Sequence, residues 1–236
     1  QSPPRNQAGL NRFIWNLRYP APPEPETHPG PWQGGSPRGP LALPGTYQVR
    51  LIVGGKTLTA PLVIKEDPEV KATEADLSSQ FDLMTKICQR LTELTRVANQ
   101  IHNVRKRLVA MRERAGSDAK LKTAIDRVDQ QAGTIENALY QPYLQAGAPE
   151  DDLATPTEIR ERLIGLEDAV DSADAAPTPQ SYEVFQYLSH QLDEQIAKWK
   201  VVDEQSLPGV EKMAARFNIG APVGALTRPT PPAARE

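Results

Sequence analysis

TEADLSSQFDLMTKICQRLTELTRVANQIHNVRKRLVAMRERA, residues 73–115, contains no glycine and no proline. Apolar side chains recur at Leu77, Phe81, Met84, Cys88, Leu91, Leu94, Ile101, Val104, Leu108 and Met111. Steps of three and four residues line up one face of an α-helix. Forty-odd residues at ~1.5 Å each make a rod roughly 60 Å long, which needs partners along its length. Thr73-Glu-Ala-Asp76 has the form of a capping box at its start, and Gly116 ends it. The heptad slips between Leu91 and Ile101, which favours the spine of an intramolecular bundle over a dimer seam.

Downstream, Ser117 is placed to cap a second helix carrying Leu121, Ile125, Val128, Ala132, Ile135 and Leu139. Tyr140 to Ala154 reads as a loop. Thr155-Pro156-Thr157-Glu158 combines an N-cap threonine, proline at N1 and glutamate at N3, a helix start. Ile159, Leu163, Leu166 and Val170 are its stripe. Thr178-Pro179 repeats the device before a helix bearing Phe185, Leu188, Leu192, Ile196 and Trp199, with Tyr182 and Tyr187 read as packing beside them. Pro208 ends that helix or opens a short last one, with Val210, Met213 and Phe217 inward. The helices are expected to form an antiparallel bundle.

Upstream, Leu10 to Tyr19 alternates Phe13, Trp15, Leu17 and Tyr19 with Arg12, Asn16 and Arg18, the period of a strand. Residues 20–45 are proline- and glycine-rich and read as a long loop, with Trp32 pinning it to a surface. Thr46 to Val53 alternates through Tyr47, Val49, Leu51 and Val53. Gly54-Gly55 is a two-residue hairpin turn. Lys56 to Ile64 returns with Leu58, Leu62 and Ile64 on one side, and Asp67-Pro68 closes the sheet region. Three strands are few, so further strands or a covering partner are expected at the exposed edges.

Of the 23 prolines, 11 precede Gly45 and none lies between Pro68 and Pro142. The chain is therefore divided into a proline-rich β head at 1–68, a helical bundle at 69–219 and an extended proline-rich tail at 220–236. A 39% hydrophobic share allows a modest core, and a net charge of −3 argues for neither nucleic acid nor an acidic membrane surface as a partner, so no nucleic acid is expected. No apolar run approaches the ~20 residues of a membrane span. The chain begins at Gln1, which is read as the end of a removed leader or of a larger N-terminal part.

The residues offer little chemistry. His28, His102 and His190 share no ligand spacing, so neither a metal nor a cofactor is expected. Cys88 is the only cysteine and sits on the apolar stripe, as a structural thiol. Glu66/Asp67 and Asp151/Asp152 fall in expected loops, not across a cleft. Arg105-Lys106-Arg107 reads as a solvated or ion-paired helix face. The basic stretch Lys86–Arg114 and the acidic segment Glu150–Asp174 read either as facing each other and setting the bundle's register or as two separately solvated faces, since exposed ion pairs contribute little. No catalytic residue is assigned, and a non-enzymatic role is expected.

Gly9-Leu-Asn-Arg-Phe-Ile-Trp-Asn-Leu-Arg-Tyr-Pro20, Gly39-Pro-Leu-Ala-Leu-Pro-Gly-Thr-Tyr-Gln-Val-Arg-Leu51, Gly55-Lys56, Pro61-Leu62 and Asp67-Pro68 resemble a known family. So do Ala138-Leu-Tyr-Gln141 and Asp174-Ala-Ala-Pro-Thr-Pro-Gln180. The likeness is to the C-terminal region of exported bacterial BNR-repeat glycosyl hydrolases and sortilin-like propeller proteins. There a β-propeller precedes an immunoglobulin-like domain and a helical segment. The resemblance implies that the sheet is immunoglobulin-like and incomplete; with the periodicities above, the chain is expected to be α+β, a small antiparallel sheet followed by an antiparallel helical bundle with one very long helix. The propeller, where the family's hydrolase chemistry would lie, has no counterpart in this sequence.

Three functions follow as expectations. The first is an exported periplasmic or extracellular structural or accessory module. It would dock on a larger assembly, at the periplasmic face of a membrane complex, through residues 1–45, the open sheet edge and the C-terminal tail. Membrane association would be peripheral. The alternative is a C-terminal accessory fragment of a propeller hydrolase or carbohydrate-binding protein. A third, weaker expectation is a carbohydrate-binding module that uses Trp15 and Trp32.

Overall fold

A computed structural model describes residues 8–26, 36–140 and 158–216. It is α+β, with a two-stranded antiparallel hairpin followed by a helical bundle. The hairpin is β1 (Gly45–Val53) and β2 (Lys56–Ile64). The helices are α1 (Glu74–Arg114), α2 (Ala119–Leu139), α3 (Ile159–Val170), α4 (Pro179–Val201) and α5 (Leu207–Ala215). No helix among the described residues is long and apolar enough to cross a membrane.

α1 forms where the glycine- and proline-free run begins and ends. Thr73 caps it by accepting from the Asp76 N–H, and the Asp76 carboxylate accepts from the Thr73 N–H in return. Thirteen of its side chains are buried, from Leu77 to Met111. Phe81, expected on the same stripe, is only half-buried, because it faces an N-terminal segment instead of another helix. α2 keeps its whole expected stripe buried. Its cap is Asp118, accepting from the Leu121 N–H, and not Ser117. α3 begins at Ile159 with Glu158 at the N-cap, so Glu158 is not the N3 residue the sequence suggested. The expected cap at Thr155 lies outside the described residues. Thr178 caps α4 with Pro179 at its start, as the sequence reads.

α4 runs into α5 through one π-helical turn, Val202–Ser206. Pro208 explains it. Its nitrogen has no hydrogen to give the Glu204 carbonyl, and its ring would strike that oxygen in a regular helix. The Leu207 N–H bonds Val202 instead, five residues back, which relieves the crowding without ending the rod. Val210 is buried and Met213 packs against the core, while Phe217 lies outside the described residues.

The core threads α1, α2, α3, α4 and α5 together, from Leu83 and Leu108 through Ile125, Leu163 and Leu192 to Val210. Arg105 and Arg107 of the basic run are ion-paired, one of the readings the sequence offers, but their partners are not in the acidic segment. On α1, Arg105 and Arg112 meet Asp129 and Asp126 of α2, and Arg90 meets Asp193 of α4. Arg105 also donates to Glu136 at 2.5 Å, on a carboxylate that is buried and shared with the Tyr140 hydroxyl. Gly133 leaves the space for that guanidinium, since a Cβ there would lie 3.2 Å from its carbon. Of the described carboxylates of the acidic segment, Glu167, Asp168 and Asp171 turn instead to the N-terminal head, while Glu161 pairs with Arg160 on its own helix.

The head departs most from expectation. Leu10 to Tyr19 is not a strand. Among the described residues its only ladder contact is an isolated antiparallel bridge, Arg18 to Leu41, flanked by Tyr19 N–H to Pro40 and Ala42 N–H to Leu17. Leu17 adopts φ 59°, a left-handed conformation that breaks an extended run. Upstream of it the chain peels away, leaving Phe13 and Ile14 exposed. The described sheet therefore has two strands, not three.

Candidate functional site

The head is built in two parts, a strap and a projecting hairpin. The hairpin's register pairs Val53 with Lys56 across Gly54-Gly55. Both turn glycines take positive φ, 55° and 76°, the geometry of a tight type I′ turn that β-carbons oppose. The register puts Tyr47, Val49, Leu51 and Val53 on one face with Leu58, Ala60, Leu62 and Ile64. Thr46, Gln48, Arg50 and Ile52 share the other with Thr57, Thr59, Pro61 and Val63. Burial falls from base to tip. Ile64 and Leu62 are partly covered, but Val49 and Leu51 are 50% exposed, Val53 60% and Leu58 65%. An isolated two-stranded hairpin is marginal in water, and these apolar side chains have no cover within the described residues.

The strap comprises residues 8–26 and 36–44. It lies against α1 and is clamped to the end of α3. Arg18 holds Asp171 with both nitrogens, at 3.1 and 2.8 Å, and its guanidinium also donates to the Gly39 carbonyl at 3.1 Å. Arg38 pairs with Asp168, and its backbone N–H donates to Glu167 at 2.5 Å. Farther along, Thr95 donates to the Pro23 carbonyl and Asn99 accepts from the Glu26 N–H. Tyr19 stacks edge-on against Phe81 at 5.4 Å. The two arms of the strap cross tightly. A β-carbon on Gly39 would lie 1.9 Å from the Tyr19 carbonyl oxygen, so only glycine fits there.

Burial governs the titratable groups here. Glu167 is 1% exposed, and loss of water pushes its carboxyl up to about 7, against the pull of the Arg38 N–H and guanidinium. Cys88 donates to the Arg38 carbonyl at 3.4 Å. Burial, then the neighbouring Glu167, pushes its thiol up to about 12, so it stays protonated at neutral pH. Two hollows flank the strap. One of about 150 Å³ sits at the hairpin's base between Leu17, Leu41, Ile64 and Met84. The other, an open groove of about 630 Å³, runs between the strap prolines and α1.

The residues weighed for chemistry do not converge. His102 lies 3.8 Å from Glu136, and His190 is 3.5 Å from Glu194 on its own helix. His28, Asp151, Asp152 and Trp32 lie outside the described residues. No group of three His, Cys, Asp or Glu side chains forms a metal site among the described residues. Asp67 accepts from the Glu69 N–H in a local turn, beside the small cavity. Trp15 donates its indole N–H to the Arg18 carbonyl and sets its ring 6.1 Å from Tyr47. Sequence reasoning missed the Arg18, Arg38, Glu167 and Asp171 clamp, in which Arg18 and Asp171 are 153 residues apart. It missed the close crossing at Gly39 as well, which no periodicity marks.

Compared with family models, with curated proteins and with solved structures, the chain matches none.

Proposed function

We propose that the chain is a non-enzymatic docking module, an accessory or structural subunit of a larger, exported assembly. One observation carries the reading: an apolar hairpin face, Val49, Leu51, Val53 and Leu58, stands clear of the body that holds it. A patch of this kind on a folded chain marks an interaction surface. The strap supports it by fixing the hairpin's base to α1 and α3, so that the tip is presented at a defined angle. The bundle then serves as a rigid stalk of about 60 Å. The exported setting, at the periplasmic face of a membrane complex, rests on the resemblance of the head segments to exported propeller proteins.

The test is purification of the tagged full chain from its host. A co-eluting partner is expected with the native sequence. The double variant Leu51→Ser, Leu58→Ser should elute free with unchanged helical circular dichroism, because exposed positions contribute little to folding. A native chain recovered as a free monomer, with nothing co-purifying, would overturn the reading.

A further inference from the structure

We propose that the partner enters as an extended, acidic segment added to the outer edge of β1. The inference rests on the docking function above and names the partner's chemistry and seat.

The two outer edges are not equivalent. In an antiparallel pair, residues alternate between positions bonded to the neighbour and positions whose N–H and C=O point away. The two-residue turn makes Val53 and Lys56 a bonded pair, which fixes the alternation along the register. Thr46, Gln48, Arg50 and Ile52 then present their backbone groups outward on β1. On β2 the outward set is Thr57, Thr59, Pro61 and Val63. Pro61 has no N–H to offer, in the middle of that set, so β2's edge is interrupted. Beyond β1 and β2 themselves, no described backbone group pairs with either edge. The ladder of β1 is thus intact and, among the described residues, open, the arrangement that strand addition uses.

Charge decides the occupant. Residues 36–65 carry Arg38, Arg50, Lys56 and Lys65 and no carboxylate. Arg38 is held by α3, whereas Arg50, Lys56 and Lys65 meet no carboxylate among the described residues. Arg50 sits midway along the open edge. A second copy of this chain would set Arg50 near Arg50, and like charges across a ladder oppose pairing. A foreign strand with carboxylates on that face and small apolar side chains on the other would complement both. Its apolar side would widen the sheet beside Val49 and Leu51.

The probe is a blocked nine-residue peptide with valine at odd positions, glutamate at the central even positions and threonine at the outer ones. It is added to the full chain and followed by amide hydrogen exchange. The expected result is slowing of the Gln48, Arg50 and Ile52 amides by at least ~tenfold, with Thr57 and Thr59 unchanged. Lysine in place of glutamate should weaken binding about fivefold, and Arg50→Glu should reverse that preference. Gln48→Pro should abolish binding. Should that variant distort the hairpin, the exchange pattern of the native chain decides alone. Slowing on β2, indifference to the peptide's charge, or binding only to phosphatidylglycerol vesicles without slowing at β1 would overturn the proposal. A partner that still co-purifies through Leu51 and Leu58 while the peptide leaves β1 unprotected would sink strand addition and leave the docking function standing.

Discussion

Replacing Glu167 with glutamine should stabilise the protein at alkaline pH and leave it unchanged in acid. The carboxyl is 1% exposed at the end of α3, where burial raises it from an ordinary value of 4.5 to about 7. Below pH 4.5 it is protonated in folded and unfolded chains alike and contributes no pH dependence. Between 4.5 and 7 the unfolded chain loses the proton first, so stability falls as pH rises. Above 7 the folded state holds a buried charge, and the accumulated loss amounts to roughly 3 kcal/mol. Glutamine keeps the oxygen that accepts from the Arg38 N–H but does not titrate. The difference in unfolding free energy between the variant and the native chain should therefore grow from near zero at about pH 4.5 to about 2–3 kcal/mol at about pH 8. Urea denaturation followed by circular dichroism, repeated across that range, measures it. Glu158 and Glu161, which burial also raises, cancel in the difference because both proteins carry them. A difference that stays flat with pH, or a variant that loses ground as pH rises, would refute the reasoning.

Gly39→Ala should unlatch the strap without melting the bundle, because the new carbon would lie 1.9 Å from the Tyr19 carbonyl oxygen. Tryptic cleavage at Arg18 should accelerate at least ~tenfold with helical signal retained, and an unchanged cleavage rate would count against the clamp. Arg105→Ala leaves Glu136 buried without its guanidinium and should cost about 3 kcal/mol, a fall of roughly 10 °C in Tm by calorimetry. A loss within ~0.5 kcal/mol, typical of a surface site, would show that Glu136 finds water instead.

Much of the helical half was legible because its determinants are local. A helix closes hydrogen bonds four residues apart, so stripes such as Leu121 to Leu139 and caps such as Thr73 and Thr178 are written in adjacent residues. The errors were of one or a few residues at ends: Asp118 took the cap from Ser117, and α3 started at Ile159. Adjacent capping candidates compete there for the same N–H groups. The hairpin was legible for the same reason, since Gly54-Gly55 fixes its register from within.

The head failed where structure depends on distant partners. Leu10 to Tyr19 alternates like a strand, but a strand needs a neighbour along its length, and the bridge at Arg18 and Leu41 is all it receives among the described residues. Alternation reports which side chains could share a face, not whether a ladder exists to receive them. Likewise the acidic residues near α3 and the basic residues of α1 invited each other as partners. Arg105 reached Asp129 and Glu136 instead, and the α3 carboxylates took Arg18 and Arg38.

By itself, the sequence determined a long capped helix, its amphipathic companions and a glycine-turned hairpin, because each is specified by contacts within a few residues. Only the tertiary structure decided that, among the described residues, nothing covers the hairpin's apolar face, that a strap crossing at Gly39 ties the hairpin to α3, and that neither the interrupted edge of β2 nor the intact edge of β1 meets a further strand. Those outcomes depend on which surfaces remain after packing, and packing joins residues too far apart along the chain for any local pattern to record.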